Sequence, residues 1–110
     1  MNTEEIRTQV CNYIWNLGCP NCYNGYNYLR DGICRAIEYP NEIGCLKKSI
    51  YFPVAKKYGT DTSNVERCIR TIVERWWMTN NCGSWFSSKP TNRQVLSTLA
   101  ERIRVEYGLF

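Results

Sequence analysis

The chain has no histidine among its 110 residues. That removes the commonest general base and the commonest metal ligand. No Ser–His or Cys–His pair can form, and no phosphate-cradling glycine loop is present, so the sequence offers no catalytic residues. No apolar run approaches the roughly 20 residues needed to span a bilayer. The N-terminal "MNTEEIRTQV" is polar and carries two acids, unlike a signal peptide. A cytoplasmic protein with no membrane contact is expected. No segment sustains period-2 alternation, which argues against a sheet. Proline and glycine are few and no segment is low in complexity, which argues against wholesale disorder.

Cysteine, by contrast, is plentiful. Seven in a short chain could suggest a secreted disulfide scaffold. The odd count, the absence of a leader and a sufficient supply of core residues favour reduced, partly buried thiols acting as small hydrophobes. "GCPNC" places Cys19 and Cys22 in a C-x-x-C. This could be half of a zinc site completed by Cys34, Cys45 or Cys82, or a redox pair. A second pair at compatible spacing and a βαβ context are both missing. Two loop thiols, with no metal and no cofactor, are the simpler expectation.

A hydrophobic content of 44% and an aromatic content of 14% suffice for one domain, residues 1–110, with its own core. The net charge of +4 is unevenly spread. Residues 1–46 hold three basic and five acidic side chains, residues 47–75 seven and three, residues 76–110 four and two. A basic middle third suits a polyanion such as DNA, although a solvated face would look the same.

Apolar spacing predicts five main helices. The first runs from Thr3, as N-cap, to Leu17, with Ile6, Val10 and Ile14 on one face. Gly18, Pro20 and Gly25 punctuate a loop. The second spans Tyr26 to Glu38, with Leu29, Ile33, Ala36 and Ile37 inward. "NEIGCLKKS" reads as a short helix or turn. The third covers Tyr51 to Tyr58, with Pro53 in its first turn and Gly59 closing it. The fourth covers Asn64 to Thr79. The fifth starts at the N-cap Thr91 and runs to Tyr107, with Val95, Leu96, Leu99, Ile103 and Val105 apolar. Trp85 and Phe86 should pin the preceding loop to the core. In "RWWM", Trp76 continues an apolar arc, so packing is favoured over base stacking. Tyr26, Tyr28 and Tyr51 read as packing residues too.

The third and fourth helices carry a helix-turn-helix pattern at about residues 50–78. Ala55 is the small residue of the first helix and Gly59 accepts a positive φ at the turn. Val65 and Cys68 or Ile69 face back. At 100° per residue, Val65, Cys68, Ile69, Ile72, Val73 and Trp76 share one arc, and Ser63, Asn64, Arg67, Arg70, Thr71 and Glu74 the opposite one. Ser63 and Glu66 are spaced as a capping box. Asn64, Arg67 and Arg70 lie in the first two turns, where a recognition helix reads bases; Arg can grip guanine and Asn adenine with two hydrogen bonds. Lys47, Lys48, Lys56 and Lys57 could neutralise phosphates. The same arc could merely solubilise the helix through i,i+4 pairs.

The stretches "GYNYLRDGI", "YFPVAKKYGT", "SNVERCIRTIVERWW" and "KPTNRQVLSTLAERIRVEY" resemble the C-terminal effector domain of stage zero sporulation protein A, the sporulation response regulator of Firmicutes. The resemblance runs from near Gly18 to Tyr107. It implies an all-α, single compact helical domain of the winged-helix-like effector type that binds double-stranded DNA at promoter boxes, often as a tandem homodimer. It places Glu66, Arg67 and Arg70 at base-reading positions, and Ser63, Lys89 and Thr91 near the backbone. Where the family usually carries arginine, this chain has Asn64, which should weaken phosphate attraction or change one base preference. The family regulator also has a receiver domain ahead of this one, so a stand-alone or excised domain is expected. The reading is a sequence-specific, non-enzymatic transcription regulator. The alternative is an interaction protein that pairs with a full-length homologous regulator without reading DNA.

Overall fold

In α1 (Thr3–Asn16), Ile6, Val10 and Ile14 are buried along one face. The cap differs from expectation: Asn2 Oδ1 accepts from the Glu5 N–H at 2.9 Å, so Thr3 is already helical. The structure, a computed structural model, describes residues 2–21, 24–42, 44–83 and 85–108.

In α2 (Asn24–Glu38), Leu29, Ile33, Ala36 and Ile37 are buried as the spacing predicts. Gly25, read as loop punctuation, lies inside this helix. A Cβ there would meet the backbone oxygen of Cys68 at 2.2 Å. Glycine is needed because two helix backbones touch, not because the chain turns. The spacing also missed Arg30 and Asp31, which are both buried.

A 3-10 turn (Pro40–Glu42) leads to a π-helical turn (Lys47–Tyr51) that runs directly into α3 (Phe52–Tyr58). The Phe52 N–H reaches back five residues to the Lys47 carbonyl. Pro53 explains the widening. It has no N–H to give the Ser49 carbonyl, and its ring would crowd that carbonyl in a regular α-turn. Arg35 Nε supplies the missing donor, at 2.8 Å from Ser49 O. "LKKS" is therefore helical, upstream of the expected start at Tyr51.

Gly59 ends α3 with φ 66°, and the Thr60 N–H closes the turn on Ala55 O at 3.0 Å. This is the left-handed closure that glycine accepts without strain. In α4 (Thr62–Asn80), Val65, Ile69, Ile72, Val73 and Trp76 are buried. Each is worth about 1.5–3 kcal/mol of removed apolar surface. The cap is Asp61, whose carboxylate accepts from Asn64 N at 2.7 Å. The Ser63–Glu66 box does not form, because the helix begins before Ser63.

Asn81–Gly83 forms a second 3-10 turn. Trp85 then stacks on Tyr13, with ring centroids 6.1 Å apart, under the Arg102 guanidinium. Trp85 and Phe86 are half-buried against the core, as expected. α5 (Asn92–Tyr107) starts from Thr91 with a reciprocal capping box: Thr91 Oγ1 accepts from Gln94 N, and Gln94 Oε1 from Thr91 N. Val105, placed on the apolar face, is exposed.

The helices share one core. Trp76 sits wholly inside it and donates Nε1–H to Leu17 O at 3.1 Å, so α4 satisfies the end of α1. Among the described residues there is no strand, and no helix is long and apolar enough to cross a membrane. Cys19, Cys34 and Cys82 are buried, which pushes each thiol up to about 12. Such thiols behave as packing groups. Cys22 lies outside the described residues. Among those described, no three His, Cys, Asp or Glu side chains gather as metal ligands.

Candidate nucleic-acid interface

The turn at Gly59 and the Asp61 cap fix where α4 begins, and hence which side chains its first turns present. Arg67 and Arg70 are exposed there, while Asn64 and Glu66 are half-buried. Arg70 Nη1 pairs with Glu66 Oε1 at 3.1 Å, one turn apart. More than half of the Arg70 side chain is exposed, so the pair is a weak one that a stronger acceptor can open.

A groove of about 510 Å³ runs beside this face. Glu66, Arg70, Val73 and Glu74 of α4 form one wall, and residues Lys89 to Arg93 the other. Lys89 Nζ meets Glu74 Oε1 at 3.3 Å across it. Asn92 holds the walls together, donating Nδ2–H to the Glu66 carbonyl at 3.2 Å and to Tyr51 Oη at 3.1 Å. Sequence reasoning missed Asn92 and Arg93. The only signal was their adjacency to Thr91. Lys47 and Ser63 lie with Glu66 in a neighbouring hollow of about 240 Å³.

Not every expected residue joins this surface. Asn64 keeps its amide within the protein, bonded to Thr60 and Arg67. Thr91 does line the groove, and its hydroxyl accepts the Gln94 N–H through oxygen while keeping a hydrogen to donate. Lys48 lines a hollow with Arg35, Asn41 and Ser49 instead, and Lys56 is exposed on α3. Lys57 is turned away from α4: its Nζ lies 2.9 Å from Asp31 Oδ2, in a hollow formed by α1, α2 and α3. A buried carboxylate demands a partner, and Lys57 is close enough to serve.

That carboxylate anchors the first helix of the unit. Asp31 accepts from Arg30 Nε at 3.1 Å and from Tyr58 Oη at 2.5 Å, while Arg30 also donates to Asn27 and Tyr58. Burial would raise the Asp31 pKa, but hydrogen bonds from Tyr58, Lys57 and Arg30 outweigh it and hold the carboxyl below the usual range. Tyr58 is the last residue of α3, so this cluster sets where the turn begins.

Two helices joined at a left-handed glycine, the second carrying exposed arginines beside a groove, define a helix-turn-helix protein. The sequence matches the family model described as sporulation initiation factor Spo0A C terminal over residues 10–103, and the chain belongs to that family. The match begins inside α1, at Val10, and takes in every element that builds the interface. The family consists of DNA-binding regulators of sporulation, not enzymes.

Proposed function

We propose that this chain regulates transcription in the cytoplasm by reading a promoter box in duplex DNA with the outer face of α4. Arg67 and Arg70 would take guanine O6 and N7 in the major groove, and Glu66 a cytosine N4 amino group. Lys47, Ser63, Lys89 and Thr91 would meet phosphates on either side. The observation that carries the reading is the exposure of Arg67 and Arg70 within the first three turns of a helix whose start is fixed by Gly59 and Asp61. Glu66 contributes a second role. It holds Arg70 extended along the helix until a base replaces it.

Selection of bound sequences from random duplex DNA tests this. An enriched box is expected, bound with an affinity that falls as salt rises. Arg67→Ala should weaken binding to that box by about 1–3 kcal/mol and relax one base position. Absence of any salt-sensitive duplex binding would sink the reading. A smaller effect is expected from Thr91→Ala, which removes the side-chain acceptor at the start of α5. It should lower stability by about 1 kcal/mol, seen as a reduced denaturation midpoint.

A further inference from the structure

We infer that Asn64 is a positioning residue that aims Arg67, and is not itself a reader of bases. The inference rests on the DNA-reading role proposed above.

The amide is engaged at both ends. Its Oδ1 accepts from Arg67 Nη2 at 2.8 Å and from the Cys68 thiol at 3.6 Å. Its Nδ2 donates to Thr60 Oγ1 at 2.9 Å. The orientation follows from chemistry: a guanidinium can only donate, so the amide atom facing Arg67 must be the oxygen. An Asn that reads adenine must offer both amide atoms to one base edge. Here they point to opposite partners.

Each link is itself anchored. The Thr60 N–H is bonded to Ala55 O in α3. The Asn64 N–H is bonded to the Asp61 carboxylate. A continuous chain therefore runs from α3 through the turn to the Arg67 guanidinium. An exposed arginine on an isolated helix samples many rotamers, and ordering it on DNA costs entropy. Holding one Nη2 hydrogen removes part of that freedom before binding. Nη2 carries a second hydrogen, which remains with its neighbour on Nε or Nη1 for the paired contact with a guanine.

The test uses the full chain and the selection experiment above, comparing wild type with Asn64→Ala, Asn64→Asp and Arg67→Ala. Asn64→Ala is expected to relax the same base position that Arg67→Ala relaxes, by about three- to tenfold, without altering the slope of log affinity against log salt. The double variant Asn64→Ala, Arg67→Ala should discriminate no worse at that position than Arg67→Ala alone. Asn64→Asp keeps an acceptor for Arg67, so it should retain discrimination even though its added negative charge lowers overall affinity. Relaxation at a different position, additive with Arg67→Ala, would overturn the inference, because Asn64 would then be reading a base itself. So would unchanged discrimination in Asn64→Ala. If wild type enriches no sequence at all, it is the DNA-reading proposal that fails.

Discussion

Gly25→Ala is expected to destabilise the fold by about 2 kcal/mol. Two effects compete. Alanine favours a helix over glycine by at most about 1 kcal/mol, the value for a helix interior, and Gly25 lies in the first turn. Against this, the new methyl would lie 2.2 Å from Cys68 O and 2.9 Å from Cys68 C. Those atoms belong to the backbone of α4 and cannot rotate aside as a side chain would. Overpacking of this kind costs about 1–3 kcal/mol and more where backbone must shift, so the clash wins. Thermal denaturation should show a fall in Tm of roughly 10 °C. Gly44→Ala is the matched control, since nothing lies within 4 Å of a Cβ there. It should leave Tm nearly unchanged. The displacement falls at Cys68, beside Arg67, so Gly25→Ala should also weaken binding to the selected box.

Asp31→Asn is the other large effect, expected to cost about 3 kcal/mol, because it leaves the guanidinium of Arg30 buried without its counter-charge. The bond from Arg30 to Asn27 Oδ1 softens the loss, and the half-exposed Lys57 adds little. The sign of the pH dependence follows from the depressed carboxyl pKa. Above the unfolded value, near 3.8, the charged form is favoured in the fold and its contribution is fully present. As pH falls through the lower folded value, the contribution is lost. Denaturant titrations of wild type should thus lose stability below about pH 4, and Asp31→Asn should lose less over the same range. Equal acid sensitivity in both proteins would mean that other carboxylates dominate.

The helices were legible because their apolar spacing is local. Ile6, Val10 and Ile14, or Val65, Ile69, Ile72 and Trp76, announce a face whatever surrounds them. The helix-turn-helix was legible for the same reason, since Ala55, Gly59 and Val65 lie within a few residues of one another. Helix starts were less so. "DTSN" offers two good caps, and the carboxylate of Asp61 took the site assigned to Ser63. Asn2 displaced Thr3 in the same way. What local pattern cannot carry is partnership between distant segments. Gly25 is glycine because of Cys68. Asp31 is buried because Tyr58 and Lys57 arrive from α3. Asn92 matters because it reaches Tyr51 and Glu66. The outer face of α4 shows both limits. Its arc was visible at 100° per residue, but which of its side chains face outward and which hold one another was not. Asn64, on that arc, turns back to Thr60.

The π-turn at Lys47–Tyr51 makes the two helices of the motif unequal in their tolerance of length change. A π-turn holds one residue more than an α-turn. Removing a residue there can be absorbed by tightening the coil, because the chain downstream keeps its phase. The same deletion between Arg67 and Arg70 would rotate everything beyond it by about 100°, sending Arg70 toward the core and Ile72 toward solvent. Insertions and deletions should therefore accumulate ahead of Phe52 and be excluded from α4. The slack in the motif lies in its approach, and none lies in the face it presents.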